Sequence, residues 1–109
     1  EHAVKESSDA SFNDDVIAST KPVPVDFYAT WCGPCRKMGP VVDNLSKEYG
    51  DKIAVWKVNV DRNPSLSSAY RIQSIPAIKL FKNGKVVDEA LGLTPASELR
   101  SKIDKAISL

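Results

Sequence analysis

The 109-residue chain carries 15 Lys and Arg against 14 Asp and Glu, with 42% hydrophobic and 27% charged residues, the profile of one globular domain spanning 1–109. A net charge of +1 leaves no electrostatic footprint for nucleic acid or an anionic membrane. No apolar run approaches the roughly 18 residues of a transmembrane helix, and the cysteines Cys32 and Cys35 are too few for a disulfide-stapled secreted scaffold.

In chain order, the first predicted element is a short strand at about Ala3-Val4-Lys5. Ser8 or Asp9 suits the N-cap of a helix whose Phe12, Val16 and Ile17 share a face, and Lys21-Pro22 closes it. A strand follows over about Val23–Ala29, with Pro24 near its beginning because proline cannot donate to a ladder. Its apolar run, Val25, Phe27, Tyr28 and Ala29, suits a sheet buried on both faces. Cys35, Met38, Val42, Leu45 and Tyr49 form one stripe of a helix over about Cys35–Tyr49, with Pro34 in its first turn and Gly50 as the stop. Pro40 predicts a kink in that helix.

Ile53–Val60 reads as a second central strand, parallel to the first through a right-handed crossover, with Trp56 in the core. Asp61–Ser65 opens a short helix with Asn63 as cap and Pro64 at its first position, and Arg71–Ser74 is loop. Ala77–Phe81 and Val86–Leu91 flank Asn83-Gly84, a strong hairpin signal. Thr94-Pro95 caps a last helix with Leu99, Ile103, Ala106 and Ile107 inside. The order β-α-β-α-β-α-β-β-α predicts an α/β fold, a central mixed sheet of about five strands flanked by four helices.

The chemistry gathers at Trp31-Cys-Gly-Pro-Cys35. Cys32 falls at a helix N-terminus, where free N–H groups and the helix dipole favour a thiolate and lower its pKa from about 8.5. Cys35 heads the core-facing stripe and is shielded. A surface thiolate with a second thiol one turn behind it can attack a disulfide and then resolve the mixed disulfide. A zinc half-site is the first rival, but His2 and two thiols fall short of a tetrahedral ligand set, so no metal is expected. A structural disulfide is the second, and closing so short a loop removes little unfolded-state entropy.

Asp26, in the middle of a buried strand, should lose hydration, which raises its pKa and suits a proton acceptor and donor near neutrality. Lys57 holds a comparable position on the neighbouring strand. Either the two form a buried structural pair or they serve the thiols. Trp31 is either core or a partner anchor on the exposed turn. Arg36 is either a solvated helix charge or a fixed charge that biases partner choice. Gly92 and Leu93 are candidates for an apolar rim around Cys32.

Phe27-Tyr-Ala-Thr-Trp-Cys-Gly-Pro-Cys-Arg36 closely resembles the active-site signature of the thioredoxin family, and Cys-x-x-Cys in a βα setting is itself a known thioredoxin-like sign. Asp26, Pro40, Ile75-Pro76, Gly84 and Gly92 extend the resemblance from about Val4 to the C-terminus. Three positions depart: Tyr28 where the family often has Trp, Thr30 where an acid or small residue is common, and Ala77 where Thr is usual.

The resemblance implies the thioredoxin fold and a general protein-disulfide reductase, an electron carrier in cell redox homeostasis. It makes Cys32 the nucleophile and Cys35 the resolving thiol, leaving a Cys32–Cys35 disulfide, with Trp31, Gly33 and Pro34 as the active-site turn. It places Asp26 behind Cys35 to take its proton through water; Lys57, by its position on the neighbouring strand, would tune that carboxylate. It makes Pro76 cis beside the cysteines, excluding metal and freeing the Ile75 backbone to pair with a substrate strand, so that Trp31, Ile75, Pro76 and Gly92 bind substrate. It implies no bound cofactor, a thioredoxin reductase fed by NADPH through a flavoprotein or by ferredoxin, disulfide-containing target proteins, and a monomer.

The expected compartment is the cytoplasm, with the chloroplast stroma as alternative. The chain begins at Glu1 without Met, which leaves a removed targeting segment open. Two rivals remain: a disulfide oxidase or isomerase of the same fold, and a thiol-independent binding or subunit module. Gly33-Pro34 resembles the reducing members, whereas a histidine before the second cysteine is typical of oxidising ones.

Overall fold

The structure, a computed structural model, describes residues 4–109. Five strands, β1 (Lys5–Glu6), β2 (Val23–Tyr28), β3 (Trp56–Asn59), β4 (Ala77–Lys82) and β5 (Lys85–Leu91), form one sheet in the order β1-β3-β2-β4-β5. β1 and β2 both run parallel to β3, while β4 is antiparallel to β2 and to β5. The sheet is mixed, as the order of sequence elements required. β2 has a strand on each side, which explains its nearly unbroken apolar sequence. Pro24 is its second residue, and the ladder to β3 starts only at Val25.

Three α-helices, α1 (Gly33–Tyr49), α2 (Pro64–Ala69) and α3 (Ala96–Ile107), and a short helix of π type (Asn13–Ile17) cover the sheet. Met38, Val42 and Leu45 of α1 and Leu99 and Ile103 of α3 pack on Ile78 and Leu80 over one face. Phe12, Val16 and Leu66 pack on Val23, Val25, Phe27 and Phe81 over the other. α1 starts two residues before Cys35, because Cys32 has the extended backbone of an N-cap (φ −86°, ψ 112°). It passes unbroken through Pro40 and ends on Gly50 at φ 54°. Asn83 and Gly84 both have positive φ, 54° and 79°, as a two-residue type I′ hairpin turn demands. Gly84 is also needed for space: a Cβ there would lie 3.2 Å from Ile17 Cγ2 and 3.3 Å from its carbonyl oxygen.

Several boundaries differ from expectation for identifiable reasons. β1 is Lys5–Glu6, and Val4 is buried in the core instead; Ala3 and His2 lie outside the described residues. β3 is shorter than Ile53–Val60, with single backbone bonds continuing beyond it at either end, Ala54 N–H to the Pro22 carbonyl (3.1 Å) and Val60 N–H to the Tyr28 carbonyl (2.9 Å). Trp56 is half-buried, because only the two-residue β1 shields the outer side of β3. The first helix begins at Asn13, since Ser8 closes a separate turn by accepting the Ser11 N–H on Oγ (3.2 Å) and the Phe12 N–H on its carbonyl (2.9 Å). Thr94 does not cap α3; its hydroxyl donates to the Gly92 carbonyl (3.1 Å) and Pro95 holds the N-cap position.

Asn63 occupies the N-cap of α2 without capping it. The cap comes from Asp9, whose carboxylate accepts the Leu66 N–H (3.0 Å) and the Ser65 N–H (3.4 Å). The Asn63 side-chain oxygen accepts the Asp9 N–H (2.9 Å) in return. An anion at a helix N-terminus satisfies otherwise unpaired donors. Asp9→Ala is therefore expected to cost about 1 kcal/mol and to lower Tm by roughly 4 °C in thermal unfolding. An unchanged Tm would show that water caps α2 equally well.

Candidate active site

β2 ends at Tyr28 and α1 opens at Gly33, and the four residues between turn the chain from sheet to helix, with the Cys32 N–H donating to the Ala29 carbonyl (3.3 Å). Cys32 caps α1 with its sulfur: the Cys35 N–H donates to Cys32 Sγ at 3.2 Å. The two cysteines are joined in a disulfide with a Cα–Cα distance of 5.2 Å. On reduction, that N–H and the positive end of the helix stabilise negative charge on Cys32 and do nothing comparable for Cys35.

Cys32 is not at the surface as expected. Both cysteines are only 5% exposed, seated among Ala29, Tyr28, Val60 and Ile75. The Cys32 sulfur turns inward onto Cys35 and lies 3.9 Å from the Ile75 carbonyl oxygen. That oxygen belongs to the Ile75-Pro76 peptide, which is cis. Pro76 is buried, Ile75 is half-buried, and the Gly92 N–H donates to the Pro76 carbonyl at 2.8 Å. Gly92 has φ 75°, which favours glycine there. Segments 29–35 and 75–76 thus meet at the disulfide, and Gly92 is tied to them through Pro76.

Trp31 is not core. It is 67% exposed, and Leu91 and Leu93 on either side of Gly92 are 56% and 55% exposed. Its indole Nε1–H donates to Asp61 Oδ2 at 2.8 Å. The Asn59 side-chain oxygen fixes that turn by accepting the N–H groups of Asp61 (2.9 Å) and Arg62 (3.3 Å). Sequence reasoning missed Asp61 and Asn59, although Asn59-Val-Asp-Arg-Asn63 has the composition of a side-chain-stabilised turn. Gly33 and Pro34 are exposed, and a Cβ on Gly33 would meet nothing within 4 Å.

Asp26 is 1% exposed, and neither carboxylate oxygen has a hydrogen-bond partner. Burial pushes its pKa up to about 6; Lys57 opposes that rise and Asp43 adds to it. Lys57 sits opposite Asp26 in the β2–β3 register, yet the buried Asp–Lys pair weighed from sequence does not form. The ion pairs among the described residues are Lys79–Glu89, Arg100–Glu48 and Lys102–Asp88. Lys57 Nζ lies instead 4.9 Å from the centroid of the Tyr28 ring. A cleft of about 400 Å³ runs from Lys57 and Tyr28 to Cys35, lined also by Arg36, Gly39 and Asp43; Asp26 and Cys32 are not in its lining. Arg36 is exposed on its wall. Among the described residues no group of three or more His, Cys, Asp or Glu is placed to hold a metal ion.

A family profile described as Thioredoxin matches residues 3–105. The chain belongs to the thioredoxin family. It is similar to Thioredoxin 1 of Synechococcus elongatus, 48% identical over 98 residues that cover 90% of this chain and 92% of that one. It is similar to the thioredoxin of Porphyra purpurea, 47% identical over 106 residues, 97% of this chain and 99% of the relative. The M-type chloroplastic thioredoxin of Spinacia oleracea is 45% identical over 105 residues, 96% of this chain and 58% of the spinach protein.

The mixed five-stranded sheet with its helices is the thioredoxin fold. With the Cys32–Cys35 disulfide at the start of α1, this thioredoxin-family chain is a thiol–disulfide oxidoreductase, a protein-disulfide reductase. Membership implies disulfide-bearing target proteins and a reductase that returns the electrons. No helix among the described residues is long and apolar enough to cross a membrane.

Proposed function

We propose that Cys32 is the attacking thiol and Cys35 the resolving one, in a monomer of one domain. The Cys32 thiolate attacks one sulfur of a target disulfide, whose S–S bond breaks as a Cys32 mixed disulfide forms and one target thiolate leaves. Cys35 then loses its proton and attacks Cys32 Sγ. The mixed disulfide breaks, the second target thiolate leaves, and the Cys32–Cys35 disulfide remains. Two electrons have passed to the target. The observation that carries this assignment is the Cys35 N–H donating to Cys32 Sγ at the helix N-terminus.

Asp26 is the acceptor of the Cys35 proton, through water. A buried carboxylate without hydrogen-bond partners and with a pKa of about 6 is a stronger base than a solvated one, and it is mostly ionised at pH 7. Lys57 tunes it. Trp31, Ile75, Pro76 and Gly92 bind the target: the Ile75 carbonyl beside Cys32 Sγ offers main-chain pairing, and exposed Trp31 offers an apolar anchor. Gly33 and Pro34 complete the turn. The chain holds no resident cofactor, and a thioredoxin reductase fed by NADPH or ferredoxin recharges it. The cytoplasm is its compartment; the chloroplastic name of the spinach relative supports the stroma as the alternative.

Cys35→Ser mixed with a disulfide-containing protein is expected to accumulate a one-to-one adduct on non-reducing gels, linked through Cys32 and released by dithiothreitol. Cys32→Ser should form none. Adducts from Cys32→Ser and not from Cys35→Ser would reverse the two roles.

A further inference from the structure

The Lys57 ammonium is placed by contacts that are not ionic. Nζ stands 4.9 Å from the centroid of the Tyr28 ring, and a Cβ added to Gly39 would lie 3.9 Å from it. The charge therefore sits between the last residue of β2 and the second turn of α1, on the cleft that Cys35 also lines. Carboxylates approach from three elements: Glu6 of β1, opposite Lys57 in register; Asp26 of β2; and Asp43 of α1, which also brings Cys35 and Arg36 to the cleft. Lys57 forms an ion pair with none of these carboxylates. A lysine has a flexible stem and a compact charge, so without a seat its ammonium would swing toward water or toward Glu6, the exposed acid opposite it in the β1–β3 register.

An aromatic face attracts an ammonium through the ring quadrupole and does not neutralise it. The Tyr28 ring is itself held: it is half-buried, and its hydroxyl is close to Glu6 and Asn59. Burial, reinforced by Glu6, pushes the Tyr28 pKa up to about 12, so the ring is neutral at any working pH.

We propose that Tyr28 is a positioning residue: its ring face seats the Lys57 ammonium against Gly39 at the wall of the Cys35 cleft, so that the charge acts on Asp26 and is not drawn off to Glu6 or solvent. This rests on the reading of Asp26 as proton acceptor and adds the group that fixes the charge tuning it. Without the seat, the attraction that opposes the burial of Asp26 weakens, and Asp26 stays protonated to higher pH.

Nuclear magnetic resonance tests this on the intact protein. The Lys57 ε-methylene protons are expected upfield of those of other lysines through the ring current, in the wild type and in Tyr28→Phe, with the shift lost in Tyr28→Leu. The Asp26 carboxyl titration should be unchanged in Tyr28→Phe and moved to higher pH in both Tyr28→Leu and Lys57→Met. Absence of the upfield shift in the wild type overturns the seat without any variant. A rise in Lys57→Met but not in Tyr28→Leu overturns the role of Tyr28 and leaves Lys57 coupled to Asp26. No rise in either removes that coupling and the proposal with it. Failure of Asp26 as proton acceptor has its own signature: the shifts above persist while Cys35 resolves at normal speed in Asp26→Ala.

Discussion

Cys32→Ser loses all turnover in the reduction of a protein disulfide such as insulin, driven by dithiothreitol, and keeps its fold. A serine hydroxyl at the N-cap of α1 can still accept the Cys35 N–H, so the local geometry survives. It is far too weakly acidic to supply an anion at pH 7, and it cannot form the mixed disulfide through which electrons leave. The stability cost is that of the lost cross-link. For a loop as short as Cys32–Cys35, the chain-entropy account gives about 2 kcal/mol relative to the oxidised protein. Circular dichroism should show a native spectrum. Retained turnover in Cys32→Ser would remove Cys32 as the attacking thiol, whereas target binding with no turnover even in the wild type would favour the thiol-independent binding module that the exposed Trp31, Leu91 and Leu93 would suit.

Asp26→Ala is expected to stabilise the protein at neutral pH and to slow it as a reductase. The carboxyl has a pKa of about 6 in the folded chain against 3.8 when solvated. Below pH 3.8 it is protonated in both states and costs nothing. Between about pH 4 and 6 the unfolded chain releases a proton that the folded chain keeps, so wild-type stability falls as pH rises. Above pH 6 the loss is complete, about 3 kcal/mol. Urea unfolding of wild type and Asp26→Ala should therefore diverge by about that amount between pH 3.5 and 7.5. Comparing the two pH values cancels the cavity left by the shorter side chain. In single-turnover kinetics at pH 7 the resolving step should slow roughly 100-fold, the lower end of what a positioned general base contributes. A stability difference that stays flat with pH would contradict the burial penalty, and an unaltered resolving step would remove Asp26 from the proton path.

What was legible in the sequence was local. The stripe Cys35, Met38, Val42, Leu45 repeats at helical spacing, and Asn83-Gly84 carries its own turn chemistry, so α1 and the β4–β5 hairpin were readable. Asp26 stood out as a lone carboxylate inside an apolar strand. What was not legible depends on segments that meet only in the fold. Asp61 reaches Trp31 across 30 residues and Asp9 caps α2 across 57, while the approach of Ile75 to Cys32 across 43 was readable only through the family resemblance. The missing Asp26–Lys57 ion pair has the same origin, since register alone sets the two side by side and the Tyr28 ring decides where the ammonium goes.

Electrons pass outward from Cys32 and Cys35 only if their couple lies below the potential of the disulfides it meets. Equilibrating the protein in glutathione buffers of known ratio, and titrating the fraction of Cys32–Cys35 disulfide, measures this directly. The expected result is a potential well below the glutathione pool, so that transfer to protein disulfides is downhill. A potential near or above that of an oxidising compartment would contradict the reductase and place the chain among the oxidases or isomerases of the same fold.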